Sequence, residues 1–394
     1  MGGSIVVVQK KVILFISGTR ADYGKLKPLI RGVKQTSSLE CKVFVTGMHT
    51  LARYGYTVNE FEKDGLSEHI HVFMNQIYGE PMDLVLSNTV AGLSRYVHEV
   101  TPDMIVVHGD RVEALSGAIV GSLNNILVAH IEGGEISGTI DETIRHSITK
   151  LAHLHFVANN QSAQRLVQMG ELKDSIYVIG SPDIDIMLSE DLPSIEEAKQ
   201  RYDVPFDKYG IFMFHPVTTE LSSLREQIKE ICLGIDESGR QFIAIYPNND
   251  PGCDIILEAY KTLQKSSRFR FFPSLRFEFF LTFLKNADFI IGNSSSGIHE
   301  APVYGIPTID IGSRQNGRTS LPSVLNTPPQ RTAIIGAIHK AINMKESEIA
   351  SSFQFGDGKS TERFLSVLLG KHVWERSRQK QFQDLFLRKE DGYL

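Results

Sequence analysis

The sequence predicts an α/β protein built from two doubly wound, Rossmann-like domains that face each other across a cleft. Three observations predict it. Short, continuous apolar runs alternate with helical segments along the chain, as in parallel sheets covered on both faces. Those runs end in polar clusters, where ligands bind in open α/β sheets. The length, 394 residues, also exceeds what one core commonly organises. The expected division is 1–180 and 181–370, with a terminal amphipathic helix over 371–394 packed across one domain.

Taken in order, Val12–Ile16 reads as the first strand. A glycine turn follows it (Ser17-Gly18-Thr19-Arg20), able to hold an anion at a helix N-terminus, with Arg20 as a forked cationic donor. A strand over 42–46 leads to Gly47-Met48-His49, and 81–100 reads as a long amphipathic helix. Asp103–Val107 is a buried strand ending in His108-Gly109-Asp110-Arg111. After an Ala- and Gly-rich helix, the strand 126–129 ends in His130-Ile131-Glu132-Gly133-Gly134-Glu135. Asp141, Glu142, Arg145 and His146 follow at a spacing that shares one helical face. So many ionisable groups on one rim are expensive unless a ligand or a reaction uses them. Strands over 154–158 and 176–179, around a helix at 161–169, complete the first half.

The second half repeats the architecture without repeating the sequence. The strand 210–214 ends in His215-Pro216, and 242–246 ends in Pro247-Asn248. A strand over 269–272 precedes an aromatic core helix at 275–286. The strand 288–291 ends in Gly292-Asn293-Ser294-Ser295-Ser296-Gly297, a small-residue strand-to-helix turn suited to a diphosphate. The strand 307–311 ends near Arg314. Asp183-x-Asp185 has the form of a metal-binding pair, but Asp183 after Pro182 is better read as a helix cap. No metal and no cofactor is expected.

A formal net charge of −5 leaves no basic footprint for nucleic acid. Cys41, Cys232 and Cys253 are too far apart for a zinc cluster or disulfide framework. No apolar run approaches membrane-spanning length, and the one at the N-terminus is too short for a signal peptide. The expected location is therefore the cytoplasm.

The motifs GTRADYGKLKP, HGDR, HIEGGE, GTIDETIRHSITKLAH, HPVTTE, YPNND, GNSSSGIHEAP and GSRQNGR occur in this order over positions 18–318. Together they resemble the hydrolysing UDP-N-acetylglucosamine 2-epimerases of bacterial sialic acid synthesis, with His299 where that family usually has Arg. The resemblance implies a glycosyltransferase-B-like fold, UDP-GlcNAc and UDP as ligands, and a homodimer or larger homo-oligomer. It implies that Arg20, Ala21, Arg111, His215, Asn248, Leu275, Ser294, Ser295, Glu300 and Arg314 surround UDP, on a turn completed by Asn293, Ser296 and Gly297. It implies that Asp110, Glu132 and Asp141 act at the sugar, with Glu142, Arg145 and His146 beside them and His215 as a further catalytic candidate. Asp110 and Glu132 are the leading acid–base pair. The implied chemistry is elimination of UDP to a glycal, followed by addition of water. The nearest alternative is the same reaction on a UDP-2,4-diacetamido-trideoxyhexose; a UDP-sugar glycosyltransferase is a more distant one.

Overall fold

The computed structural model describes residues 10–384 except 138, 319, 320, 346, 347 and 350. The first domain runs β1 (Lys11–Ser17), α1 (Arg20–Gln35), β2 (Leu39–Val45), α2 (Asn59–Lys63), β3 (Ile70–Val72), α3 (Met82–Val100), β4 (Met104–His108), α4 (Val112–Leu123), β5 (Leu127–Ile131), α5 (Ile140–Leu151), β6 (Leu154–Val157), α6 (Asn160–Gln168) and β7 (Ile176–Val178). The second runs α7 (Asp183–Met187), α8 (Ile195–Tyr202), β8 (Gly210–Met213), α9 (Leu221–Glu237), β9 (Phe242–Ile245), α10 (Cys253–Leu263), β10 (Phe269–Phe272), α11 (Phe277–Lys285), β11 (Phe289–Gly292), β12 (Thr308–Ile311), β13 (Val324–Thr327) and α12 (Arg331–Ile342). The chain then returns to the first domain with α13 (Ser360–Leu368) and α14 (Lys371–Trp374).

Strand interiors are apolar on both faces because helices cover both. Along β1, Ile13 and Phe15 enter one core while Leu14 and Ile16 enter the other. In β8, Phe212 and Ile211 divide the same way. Both sheets are parallel, in the orders β3-β2-β1-β4-β5-β6-β7 and β10-β9-β8-β11-β12-β13. Strand order reverses between β1 and β4 and between β8 and β11, which opens a crevice at their carboxyl ends. β3 and β13 are three- and four-residue edge strands, too short to announce themselves by periodicity.

Three expectations are corrected. Residues 360–370 belong to the first domain, because Phe364, Leu368 and Val373 complete its core. The terminal helix ends at Trp374, and the chain continues to residue 384 as an irregular strap; 385–394 lie outside the described residues. Lys380 of that strap donates to the carbonyls of Thr149 and Ala152 at the end of α5, at 2.8 and 2.7 Å. Strap residues thus satisfy carbonyl groups spread over the first domain, which a compact helix would not reach. Finally, the serine turn after β11 leads into two short 3₁₀ segments, Ser295–Gly297 and Ala301–Tyr304, rather than a regular helix.

The two crossings between domains lie side by side. Ser181 N donates to the carbonyl of Phe355 at 2.6 Å, and Ser360 Oγ donates to the carbonyl of Ser181 at 3.1 Å. Asp185 accepts from the backbone N–H groups of Ser360 and Thr361 at 2.9 and 2.8 Å and so caps α13. Among the described residues no helix is long and apolar enough to cross a membrane.

Candidate active site

The cleft between the domains has a volume of about 1500 Å³ including its open mouth. It is lined from both switch points: Arg20 and Ala21 follow β1, Asp110 and Arg111 follow β4, His215 follows β8, and Ser294–Ser296 follow β11. Thr19 and Asp22 form a capping box at the start of α1, a device worth about 1 kcal/mol that fixes Arg20 in the first turn. Arg20 Nη1 reaches across to Ser274 Oγ at 2.7 Å.

Glu132, Asp110 and Asp141 all line this cleft. Glu132 has φ of 62°, a left-handed conformation that costs a non-glycine residue about 1–2 kcal/mol. Its carboxylate lies 3.2 Å from both Lys25 Nζ and His108 Nε2. Burial alone would raise the Glu132 carboxyl, but Lys25 and His108 outweigh it and hold it well below the usual range. Asp110 pairs with Arg145, whose charge, with those of Arg318 and Arg314, likewise overcomes burial and holds it low. Asp141 moves the opposite way: burial and then the neighbouring Asp110 raise it, although Arg314 Nη2 lies 3.1 Å from its Oδ2. Three carboxylates from neighbouring strand ends thus converge on one cleft, each facing a different set of cations.

His215 is buried and held in place by Asn293, whose side chain accepts from His215 N at 2.7 Å and donates to its carbonyl at 2.9 Å. The glycine before Asn293 is obligatory. Gly292 has φ of 137°, and a Cβ there would lie 1.8 Å from Met213 O. His215 Nδ1 accepts from Asn248 N–H at 3.1 Å, so the ring presents Nε2–H. Burial, with Arg314 and Arg111 adding to it, pushes its pKa well down. With Nδ1 occupied by the Asn248 N–H, His215 can offer Nε2–H to the cleft as a donor.

Leu275, Asn248, Glu300, Arg145 and Arg314 also line the cleft. Burial pushes the Glu300 carboxyl up to about 7 despite Lys25, with Asp183 adding to the rise. Four expected residues do not line it. Glu142 turns back to accept from Ser137 N at 2.6 Å, and His146 lies 3.5 Å from Glu142. Asn293 braces His215 from behind, and Gly297 packs where a Cβ would meet Thr308 at 2.5 Å.

The structure adds residues that sequence reasoning missed. Lys25 is buried among Glu132, Asp183 and Glu300, at 3.2, 3.6 and 3.8 Å. Asp183 is thus a buried partner of this lysine, and at the start of α7 it also accepts from Ile184 N at 3.1 Å. Lys25 lies one helical turn beyond Ala21, which was the only signal available. Arg318 pairs with Glu135 and lies 2.8 Å from His299 Nε2, bringing a guanidinium to the neighbourhood of His299. Glu132, Glu135 and His299 are close enough to share an ion, but Lys25 and Arg318 already pair with those carboxylates.

A family model described as UDP-N-acetylglucosamine 2-epimerase matches residues 31–369. The chain belongs to this family. Among curated members, the UDP-N-acetylglucosamine 2-epimerase of Neisseria meningitidis serogroup B is 49% identical over 96% of this chain and 100% of its own. The UDP-N,N'-diacetylbacillosamine 2-epimerase (hydrolyzing) of Legionella pneumophila is 34% identical over 90% of this chain and 95% of its own. The solved UDP-GlcNAc 2-epimerase of Methanocaldococcus jannaschii, in complex with UDP-GlcNAc and UDP, superposes with a TM-score of 0.78. It covers 91% of this chain and 99% of its own at 22% identity, a likeness of fold. The epimerase-family fold is thus a glycosyltransferase-B-like pair of Rossmann-like domains.

Proposed function

We propose that this chain is a hydrolysing UDP-GlcNAc 2-epimerase, converting UDP-GlcNAc and water into N-acetylmannosamine and UDP at the head of sialic acid synthesis. The observation that carries the reading is the convergence of Asp110, Glu132 and Asp141 from the first domain on one cleft with His215, the serine turn and Arg314 from the second. In the α-linked gluco chair, H2 and the UDP oxygen are axial on opposite faces. Asp110 or Glu132 removes H2 as the C1–O bond to UDP breaks, which leaves a C1=C2 glycal. Asp141 then protonates C2 on the other face, and water adds its hydroxyl at C1 while passing its remaining proton to a carboxylate of the cluster. Departure of UDP is assisted by Arg20, Arg111, Arg314 and the His215 N–H, since charge develops on the diphosphate. The enzyme is read as a cytoplasmic homo-oligomer that needs no metal or cofactor.

The test is NMR of the sugar released from UDP-GlcNAc in deuterium oxide. Elimination requires a new hydrogen from a solvent-exchanging acid, so free N-acetylmannosamine should carry deuterium at C2. A protiated C2 would overturn elimination, and UDP-bound N-acetylmannosamine would overturn hydrolysis. The Legionella relative favours one alternative substrate, a UDP-2,4-diacetamido-trideoxyhexose, so both nucleotides belong in the assay. Binding is checked separately. Arg20→Ala and Arg314→Ala should each weaken UDP binding by about 1.5–3 kcal/mol, the range for a charge-assisted hydrogen bond, measured by calorimetry. Unchanged affinity in both would remove them from the diphosphate.

A further inference from the structure

Arg314 stands between two claims on its charge. Its Nη1 is anchored on the carbonyl of Asn293 at 3.2 Å, which leaves the Nη2 edge to face the cleft. There Nη2 donates to Asp141 Oδ2 at 3.1 Å, a contact across the two domains. Arg314 is also one of the cations assigned above to the diphosphate. One guanidinium edge can serve Asp141 or a phosphate oxygen fully, but not both.

We infer that the diphosphate and Asp141 compete for Arg314, so that nucleotide binding itself releases Asp141 from its ion pair and causes it to take up a proton. The proposal rests on the reading of the cleft as a UDP-sugar site and deepens it. The groups facing Asp141 agree with the direction. Asp110 at the end of β4 and Asp250 of the second domain repel a charge there, and Arg111 and Arg145 are already engaged by other acids. Arg111 lies 3.4 Å from Glu113 and 3.6 Å from Asp250, and Arg145 pairs with Asp110. Once Arg314 turns to the phosphate, Asp141 has lost the cation that faces it most directly, and the added negative charge of the nucleotide favours its acid form. The proton that C2 needs is thereby loaded only when there is a substrate to receive it. In the empty cleft, Asp141 remains an ion-paired carboxylate.

Calorimetry of UDP binding tests this. Titrations in buffers of different ionisation enthalpy, above the pH at which UDP's own phosphate titrates, should show proton uptake by the wild-type protein. Asp141→Asn should abolish that uptake and tighten UDP binding about 3- to 10-fold, because the competitor for Arg314 is gone. In an Arg314→Gln background the same Asp141→Asn change should leave UDP affinity unaltered. Equal tightening in both backgrounds would mean simple repulsion between Asp141 and the phosphate and would overturn the exchange, as would wild-type binding without proton uptake. Asp141→Ser provides the same readings if the Asn variant misfolds. UDP binding that behaves additively sinks the exchange alone. Failure to release N-acetylmannosamine sinks the reaction assigned to the cleft while leaving these binding results standing.

Discussion

Asp110→Asn and Glu132→Gln should each reduce turnover of UDP-GlcNAc by about 10²–10⁴-fold, the range for loss of a positioned acid or base. Both substitutions preserve shape while removing the carboxylate's charge and its ability to hold a proton. UDP affinity should change far less, because neither carboxylate is expected at the diphosphate. A loss in kcat that outstrips any loss in binding marks a group acting mainly in the transition state. Steady-state kinetics alongside UDP calorimetry makes the comparison. Glu132→Gln carries a further expectation: its amide cannot complete the pairs with Lys25 and His108, so the left-handed turn loses part of its support. Near-normal turnover in both variants would move the proton transfers to Asp141 alone, or to a group outside this cluster.

Lys25→Met should destabilise the folded protein by about 3–5 kcal/mol at neutral pH, the cost of leaving buried charge without its partner. Burial alone would pull the Lys25 ammonium down, but Asp183, Glu132 and Glu300 hold it well above its ordinary value. Glu132, depressed in the folded state, contributes stability above its unfolded pKa and loses it as pH falls through the folded one. Without Lys25, burial is opposed mainly by His108, so the folded pKa rises and the ionised carboxylate becomes a liability at neutral pH. Acidification then removes the liability in the variant while removing a contribution in the wild type. The gap between the two proteins should therefore be widest near neutrality and narrow toward acid. Urea unfolding at several pH values measures it. A gap independent of pH would trace the loss to packing of the lysine stem.

Much of the site was legible because doubly wound sheets put ligands at strand ends. Asp110, Glu132 and His215 each stand one to three positions past a buried apolar run, and such runs are visible in sequence. Asp141 and Arg145 were legible as a helical pair. The same helical argument failed for Glu142 and His146, since a step of about 100° per residue carries positions 142 and 146 away from the cleft and toward the Ser137 loop. Lys25 was not legible as a site residue. Its partner Glu132 is 107 positions away, and only the packed fold turns an ordinary helix lysine into the centre of an acid cluster. Arg318 escaped for the same reason, its partner Glu135 lying on the other domain. The serine turn suggested a helix behind it because glycine and serine at a strand end are common to both outcomes.

The return of α13 and α14 to the first domain makes the second domain an insertion into the first. Both ends of the described chain belong to one body, and the other is a closed excursion between two neighbouring crossings. Gly180 sits at the seam, with φ of 90°; a Cβ there would come within 2.9 Å of Ser360 Oγ and 3.1 Å of Gly356. The paired crossings tie the two domains along one edge of the cleft, and Arg314 and Arg318 bridge it to Asp141 and Glu135.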